Sequence, residues 1–193
     1  QNIPFTNGWV QIQGEIFYGK PTDKKWLENH FNHYNHFVTT GMWLNYKRTY
    51  FRTNPNKPFS LTIGMQAACQ FGGTQFLYEK GELVKTVKMR ASFETFVKAI
   101  IPGSGGSTGG DKAYKEGNHL GSWDVMGTYR LPNGITLKAY YQSPFEDGSG
   151  IGKLNGFDGL YGVEFKNSKP GIISGAVVEY LDFRNQSGPI HWA

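Results

Sequence analysis

The best candidates for catalytic residues in this chain are three carboxylates in and after a glycine-rich segment. Glu146 and Asp147 lie in the sequence Phe-Glu-Asp-Gly-Ser-Gly at positions 145–150, and Asp158 precedes a further glycine. Two carboxylates at a suitable separation are the acid and the base of glycoside hydrolysis, whereas a calcium loop needs a denser series of oxygen ligands. Loop carboxylates more often cap turns or accept hydrogen bonds from backbone amides. We therefore expect no catalytic residue here and a protein that is not an enzyme.

Histidine and cysteine give no stronger indication of chemistry. The spacing of His30, His33 and His36 suits a metal only if that segment is helical. Their asparagine-rich surroundings favour a solvated or glycan-facing loop, so we expect no metal. Cys69 is the lone cysteine, which excludes a disulfide framework, and its place on an apolar strand face makes it a poor nucleophile. The sequence has no Ser/His/Asp arrangement, phosphate loop or dinucleotide fingerprint, so we expect no cofactor.

Aromatic, amide and charged side chains in the long connections form a different kind of candidate site. Aromatic rings stack against the C–H faces of sugars, while amides and carboxylates bind the hydroxyl groups. Protein–protein contacts use a similar mixture of side chains. The residues that we predict to bind glycan are Trp26, Trp123, Phe145, Glu146, Asp147, Asp158, Arg184, Asn185 and Gln186.

Seven segments of alternating apolar and polar residues must position these side chains. Such alternation is typical of strands that lie between an apolar and a wet environment. In the second segment it places Leu44 and Tyr46 on the apolar face, opposite Asn45 and Lys47. The predicted strands are Trp9–Tyr18, Phe37–Phe51, Phe59–Phe71, His119–Leu131, Ile135–Ser143, Gly159–Lys166 and Gly171–Arg184.

The connections between these strands are alternately long and short, so antiparallel strands would gather the long ones at one end. Outer-membrane barrels have this asymmetry. We predict an all-β fold, an antiparallel, transmembrane, up-and-down β-barrel with long extracellular loops and one short loop helix. Bacterial single-chain barrels have an even number of strands, so about seven strands would be an incomplete part of a larger barrel. A soluble sandwich or a lipocalin-type barrel shows the same alternation and stays open as an alternative.

Composition agrees with a β-rich chain and excludes other classes of protein. The chain has 193 residues, of which 38% are hydrophobic, 16% are aromatic and 26 are glycine. Its net charge of +5 is scattered rather than gathered in a basic stripe, so we expect no nucleic-acid partner. No segment is apolar for long enough to form a transmembrane helix. Because no signal peptide precedes Gln1, we predict that residues 1–193 are a single-domain fragment of a longer protein.

The longest interruption of the strand pattern, residues 72–118, is predicted to be an extracellular loop insert. Apolar residues at positions 93, 96, 97 and 100 have helical spacing, and they predict a short amphipathic helix. Ser92 is its predicted N-cap, and Pro102 and Gly103 are its predicted stop. A further pair of strands around Glu82–Met89 is an alternative interpretation of the same insert.

A series of motifs resembles the capsule-assembly Wzi family, in the branch found in anaerobic Gram-negative bacteria. In chain order they are Gln70-Phe71-Gly72-Gly73, Gly117-Asn118-His119-Leu120-Gly121-Ser122-Trp123-Asp124, Tyr140-Tyr141-Gln142, Phe145-Glu146-Asp147-Gly148-Ser149-Gly150, Asp158-Gly159-Leu160-Tyr161-Gly162, Glu179-Tyr180 and Asn185-Gln186-Ser187-Gly188-Pro189-Ile190-His191. The resemblance covers roughly Phe59 to His191. It implies an outer-membrane barrel, larger than this chain, that holds or organises surface polysaccharide as a lectin. It supplies no catalytic residues.

The expected function is therefore non-covalent binding of capsular polysaccharide at the cell outer membrane, through the extracellular loops. The expected partners are surface polysaccharide and outer-membrane lipid. One alternative is a passive pore lined by polar side chains such as Asp124, Arg130, Lys138 and Glu164. Another is an accessory subunit that docks on other outer-membrane proteins. Conductance in a planar bilayer would separate the pore from the glycan binder, and copurification in mild detergent would reveal the subunit.

Overall fold

The computed structural model describes residues 1–21, 37–102, 117, 119–146, 148–153 and 156–185. These residues form mainly antiparallel β-sheet with two short helices. The elements, in chain order, are β1 (Val10–Gly19), β2 (Phe37–Thr40), β3 (Trp43–Thr53), β4 (Phe59–Phe71), β5 (Gly73–Glu79), β6 (Glu82–Met89), α1 (Phe93–Lys98), β7 (His119–Arg130), β8 (Ile135–Phe145), α2 (Gly148–Ile151), β9 (Gly159–Asn167) and β10 (Gly175–Asp182).

Seven of these strands form one sheet in the order β1-β3-β4-β7-β8-β9-β10, and every neighbouring pair is antiparallel. They correspond to the seven predicted strands, taken in sequence. The predicted all-β, antiparallel class is confirmed. Among the described residues, β1 and β10 each pair with one other strand, and Asn2 forms an isolated antiparallel bridge with Gln11 on the outer side of β1.

The second predicted strand, Phe37–Phe51, is wrong as a single element. The chain bends at Gly41, whose φ of 69° is the left-handed conformation that glycine adopts most readily. Before the bend, β2 pairs with β5 in a separate three-stranded sheet; after it, β3 joins the large sheet. The predicted facing of this segment is also wrong. Asn45 pairs with Cys69, and Lys47 pairs with Ala67, so both lie on the apolar side of β4.

Turns and long connections lie at opposite ends of the large sheet, as predicted. At one end, short turns join β3 to β4, β7 to β8 and β9 to β10. Strands β3, β7 and β9 end here, at Thr53, Arg130 and Asn167, and we call this end of the sheet the turn end. The connections β1 to β3, β4 to β7 and β8 to β9 all leave the opposite edge, which we call the loop end. The long connections therefore gather at one edge.

The insert at residues 72–118 holds the three-stranded sheet's β5 and β6, followed by α1. The alternative strand interpretation of Glu82–Met89 is confirmed as β6, which pairs with β5. The short helix is confirmed as well, and Ser92 is its N-cap, because the Ser92 hydroxyl accepts a hydrogen bond from the backbone N–H of Thr95. The ring of Phe96 packs on Tyr18, Trp43 and Phe71, with ring centroids 5.0–5.3 Å apart. This aromatic contact holds α1 against the large sheet at its loop end.

The register gives the large sheet two unlike faces. The face that we call apolar is not covered by any other described part of the chain near the turn end. There it exposes apolar side chains on all seven strands. The bare apolar band consists of Ile12, Phe51, Phe59, Ile63, Val125, Tyr129, Leu137, Val163 and Val178, each at least 36% exposed. The opposite, polar face carries Gln, Glu, Arg, Ser, Thr, Asp and Lys side chains along β1 to β9. Apolar side chains also occur on this face, namely Phe17 on β1, Leu120 on β7, and Val177 and Leu181 on β10, each at least 50% exposed.

Candidate functional site

Asp124 is the centre of a hydrogen-bond network on the polar face. Its side chain is 1% exposed. The Oδ1 atom accepts hydrogen bonds from the Ser122 hydroxyl at 2.8 Å and from the Gln142 amide at 3.2 Å. The Oδ2 atom accepts one from the Tyr50 hydroxyl at 2.5 Å. A buried carboxylate is costly unless such donors surround it, so this network stabilises the middle of the polar face.

The network continues across β4 to β3. The Gln66 amide donates to the Ser122 hydroxyl at 3.2 Å, and the Tyr46 hydroxyl donates to the Gln66 carbonyl oxygen at 3.0 Å. Side chains from four adjacent strands, β3, β4, β7 and β8, are thereby linked in one series. Such cross-strand polar contacts fix the register of the sheet on the face that lacks apolar packing.

Two glycines make the longest of these contacts geometrically possible. A Cβ atom on Gly64 would lie 2.6 Å from the ring of Tyr50, and one on Gly162 would lie 2.1 Å from the ring of Tyr140. Each tyrosine ring therefore crosses a neighbouring strand at a glycine. Tyr50 reaches over β4 to Asp124 on β7, and Tyr140 reaches over β9, where its hydroxyl donates to Glu179 on β10. Glycine within a strand commonly marks this kind of close approach.

Ion pairs lie on either side of this network. Arg48 contacts Glu15 at 2.8 Å, and Lys138 contacts Glu164 at 2.6 Å. The first pair is about half exposed, so its effect on stability is small. Of the polar-face residues proposed from sequence as a pore lining, Asp124, Arg130, Lys138 and Glu164, all four lie on the polar face by the observed register.

Removing the Tyr50 hydroxyl tests how much the buried network stabilises the sheet. Tyr50→Phe keeps the ring over Gly64 but leaves Asp124 Oδ2 without its donor, so we expect the free energy of unfolding to fall by about 1.5–3 kcal/mol. Tyr140→Phe removes the same kind of bond to Glu179, which is exposed, so we expect a much smaller fall. Denaturant titration of both variants measures the difference. Equal effects would contradict the buried role of Asp124.

The connection from β8 to β9 folds back onto the apolar face at the loop end. The indole N–H of Trp123 donates to the backbone oxygen of Ile151 at 3.0 Å. Phe145 is 5% exposed, and a Cβ atom on Gly121 or on Gly150 would lie 2.6 Å from it. Both aromatic residues therefore hold the connection against the sheet, and glycines provide the space for Phe145.

Asp158 and Asn185 bind each other at the same end. The Asn185 side-chain amide donates to Asp158 Oδ1 at 3.1 Å, and its backbone N–H donates to Asp158 Oδ2. Asp158 is 3% exposed, and its backbone oxygen also accepts hydrogen bonds from Tyr141 and Ser143. This carboxylate therefore anchors the segment after β10.

Arg184 presents a charge beside that anchor. Its guanidinium group forms a bidentate contact with Asp182, with Nε to Oδ1 at 2.9 Å and Nη2 to Oδ2 at 2.6 Å. The Asp182 carboxylate raises the pKa of Arg184, so the group is cationic at every ordinary pH. Because the Arg184 side chain is 83% exposed, it faces solvent at the loop end.

The structure thus places six of the nine predicted glycan-binding residues at the loop end. Trp123, Phe145, Asp158 and Asn185 hold the connections in place, while Glu146 and Arg184 are exposed. Trp26, Asp147 and Gln186 lie outside the described residues, as do His30, His33 and His36. Sequence reasoning missed the network around Tyr50 and Tyr140. The signal that pointed to it was a glycine at a polar-face position of two strands, Gly64 and Gly162.

A second polar group lies on the apolar face, under the chain that follows α1. The Lys47 ammonium group donates to Asn45 Oδ1 at 2.9 Å and to the backbone oxygen of Ala99, and it lies 3.9 Å from the sulfur of Cys69. The backbone oxygen of Ala99 also contacts His119 Nε2 at 3.3 Å. Asn45, Lys47, Cys69 and His119 are all buried. Covering them allows polar residues to occupy an apolar face, which explains why simple alternation assigned β3 incorrectly.

Comparison of the chain with family models, with curated protein sequences and with solved structures gave no match. Within the described ranges, no helix has the length and apolar character needed to cross a membrane. The same ranges contain no cluster of three or more histidine, cysteine or acidic side chains suited to a metal ion.

Proposed function

We propose that the large sheet is part of an outer-membrane β-barrel whose bare apolar band faces lipid and whose polar face lines the interior. The observation that carries this proposal is the inverted polarity of the sheet. Asp124 and Ser60, which are small and polar, are 1% exposed on one face, whereas Phe51, Ile63 and Val163 are 45–57% exposed on the other. In water the opposite distribution is favoured, since burying apolar area contributes about 25 cal/mol per Å². A contiguous apolar band of this kind marks a surface that is covered by something other than water.

Three further features support the membrane assignment. The seven strands of the sheet are 8 to 13 residues long, and a tilted strand needs about 9–11 residues to cross a bilayer. Tyr141, Tyr161 and Tyr180 form a row of rings at the loop-end border of the band, with successive centroids 4.8 and 6.3 Å apart. Aromatic rows at the borders of the apolar surface are typical of such barrels. The long connections at one edge fit extracellular loops.

The barrel would close through pairing of β1 and β10 with further strands. An open strand edge in lipid leaves backbone N–H and C=O groups without partners, at several kcal/mol each. Both edge strands are regular over 8 to 10 residues. Residues 1–3 bond to the outer side of β1 at Val10 and Ile12, so further strands would pair with β10 and with β1 beyond Ile12. The proposal thus places this chain in a larger barrel rather than in a closed seven-stranded one.

The function that we infer for the loop end is non-covalent binding of capsular polysaccharide, in its assembly or attachment at the cell surface. The loop end combines an exposed carboxylate at Glu146 and an exposed guanidinium at Arg184 with connections anchored by Trp123 and Asp158. A rigid support with exposed charged groups suits recognition of hydroxyl and acidic groups on a glycan.

Arg184→Gln tests this role of the loop end. We expect it to weaken binding of the purified surface polysaccharide to the protein in nanodiscs about tenfold. Lys169→Gln is the matched control, since it removes one exposed cation at the turn end and should leave the dissociation constant unchanged. Biolayer interferometry with immobilised glycan measures both. Equal losses in the two variants would indicate non-specific charge attraction and would contradict a site at the loop end.

A passive pore remains a second proposal, favoured by the charged side chains along the polar face. The pairs Glu15–Arg48 and Lys138–Glu164 lie on strands β1, β3, β8 and β9, so charges line much of the width of that face. A pore would give steady ion current in a planar bilayer that added polysaccharide leaves unchanged. A glycan-binding barrel would show current, if any, that falls on addition of the polysaccharide.

A further inference from the structure

A groove of about 480 Å³ lies on the apolar face between strands β1, β3 and β4 and the chain that follows α1. Its floor consists of small or apolar residues on neighbouring strands, namely Gly14, Ile16, Thr49, Met65 and Ala67. Ile100 and Pro102 form one wall. The volume falls within the range of about 300–1,000 Å³ that is usual for small-molecule sites.

The lining of the groove offers few groups to a polar ligand. Lys47 borders it, but the Lys47 ammonium group is directed to Asn45 Oδ1, the Ala99 backbone oxygen and Cys69 Sγ, so its methylene stem borders the groove. Glu15 and Arg48 also border it, but their side chains pair with each other on the polar face. No aromatic ring stands among the described lining residues. A sugar would therefore lose hydrogen bonds to water on entry without replacing them.

The groove is continuous with the bare apolar band. Thr49 pairs with Met65 in the groove, and two residues further along the same strands Phe51 pairs with Ile63 in the band. A chain that extends along the band can thus enter the groove without crossing a polar border. This continuity points to a ligand that is already present at the band.

We propose that the groove binds one acyl chain of a membrane lipid, held between the sheet and the segment after α1. This inference rests on the proposed function, because it takes the bare apolar band to face lipid. Burial of each methylene group of the chain is favourable, and the groove provides more contact than the open band does. A lipid bound there would link α1 and its loop to the surrounding bilayer at the loop end.

Gly14→Leu is the variant that fills this groove. A Cβ atom at Gly14 meets no atom closer than the Arg48 backbone oxygen at 3.9 Å, so the new side chain starts from open space at the floor of the groove. Gly127→Leu is the matched control, since it adds the same side chain to the same face on β7, where the nearest contact of its Cβ atom is Phe59 at 3.6 Å. Both variants exchange a strand glycine for leucine, and only one of them occupies the groove.

The test uses the protein in phosphatidylcholine nanodiscs that contain a phospholipid with a photoactivatable diazirine in one acyl chain. Mass spectrometry of the adducts compares labelling at the groove residues Met65 and Ile100 with labelling at the band residues Phe51 and Val125. We expect stronger labelling of the groove in the parent protein. Gly14→Leu should reduce groove labelling about tenfold, the loss expected when roughly two buried methylenes are displaced, and should leave band labelling unchanged. Gly127→Leu should not change groove labelling.

Each outcome separates the groove from the wider proposal. Band labelling without any excess at the groove, or groove labelling that Gly14→Leu does not reduce, would overturn the lipid site and leave the membrane barrel intact. Labelling of the groove alone, with an unlabelled band, would support the lipid site and contradict the barrel. The absence of labelling at both places would overturn both.

Discussion

Replacing Ile63 by arginine is expected to lower the free energy of unfolding of the protein in a phospholipid bilayer by about 2–4 kcal/mol, the cost of a cation on the lipid-facing side near the middle of a barrel. Ile63 lies within the bare apolar band, where it pairs with Phe51 on β3 and Val125 on β7. It is 45% exposed. If this surface faced water, the same exchange at a half-exposed position would change stability by no more than about 0.5 kcal/mol. The two magnitudes differ enough to decide between the environments.

Thr62→Arg is the control for Ile63→Arg. Thr62 is the neighbour of Ile63 on β4 and lies on the polar face, where it pairs with Arg52 on β3 and Met126 on β7. An interior exposed to water accepts a further cation there, so we expect a loss of less than about 1 kcal/mol. Reversible unfolding of both variants in liposomes, followed by tryptophan fluorescence, measures the difference. A larger loss for Thr62→Arg than for Ile63→Arg would reverse the assignment of the two faces.

Adding a methyl group at Gly64 is expected to destabilise the sheet by about 3–5 kcal/mol, the sum of overpacking and of a lost hydrogen bond to a buried carboxylate. A Cβ atom there would lie 2.1 Å from the Thr49 backbone oxygen and 2.6 Å from the Tyr50 ring. The Tyr50 ring must then leave β4, and its hydroxyl can no longer reach Asp124. Gly64→Ala should therefore cost more than Tyr50→Phe, which removes only the hydrogen bond.

Gly127→Ala is the control for Gly64→Ala. It introduces the same methyl group into β7, where a Cβ atom meets only the Phe59 ring, at 3.6 Å or more. Since alanine loses less conformational entropy on folding than glycine, Gly127→Ala should leave stability unchanged or raise it by about 0.4–1 kcal/mol. The denaturant midpoints of the two variants give the comparison. Equal stability of Gly64→Ala and Gly127→Ala would contradict the placement of the Tyr50 ring over Gly64.

The strands with unbroken alternation could be predicted because local pattern determines them. Alternation in segments such as Phe59–Phe71 and His119–Arg130 extends over a dozen residues, and the lengths of the connections fix which strand ends share an edge. For the same reason α1 was predictable, since its N-cap at Ser92 and its apolar spacing are both local. The antiparallel class and the division into a turn end and a loop end therefore follow from the sequence.

The features that could not be predicted depend on contacts between distant segments. Asn45 and Lys47 interrupt the alternation of β3 because the chain after α1, more than 50 residues later, covers them. Nothing in the pattern of β3 indicates that cover. The bond from Tyr50 to Asp124 likewise spans 74 residues and depends on the registers of two strand pairs at once. In the candidate site, the sequence identified Asp158 and Asn185 as polar loop residues but not that they bind each other.

Spin-label accessibility along β4 tests most directly whether the apolar face meets lipid. The rates at which a nitroxide collides with oxygen, which is concentrated in lipid, and with a water-soluble nickel chelate distinguish the two environments. The label is introduced by single cysteines at positions 61, 62, 63, 65 and 66 in a Cys69→Ser background, with the protein in liposomes. We predict higher oxygen collision rates at Leu61, Ile63 and Met65, and higher nickel collision rates at Thr62 and Gln66, which are partly exposed on the polar face. Labels at Leu61 and Ile63 that collide with neither partner would place the band in a protein core, and labels there that collide freely with the nickel chelate would place it in water. Either result would contradict the barrel, and with it the glycan-binding role of the loop end.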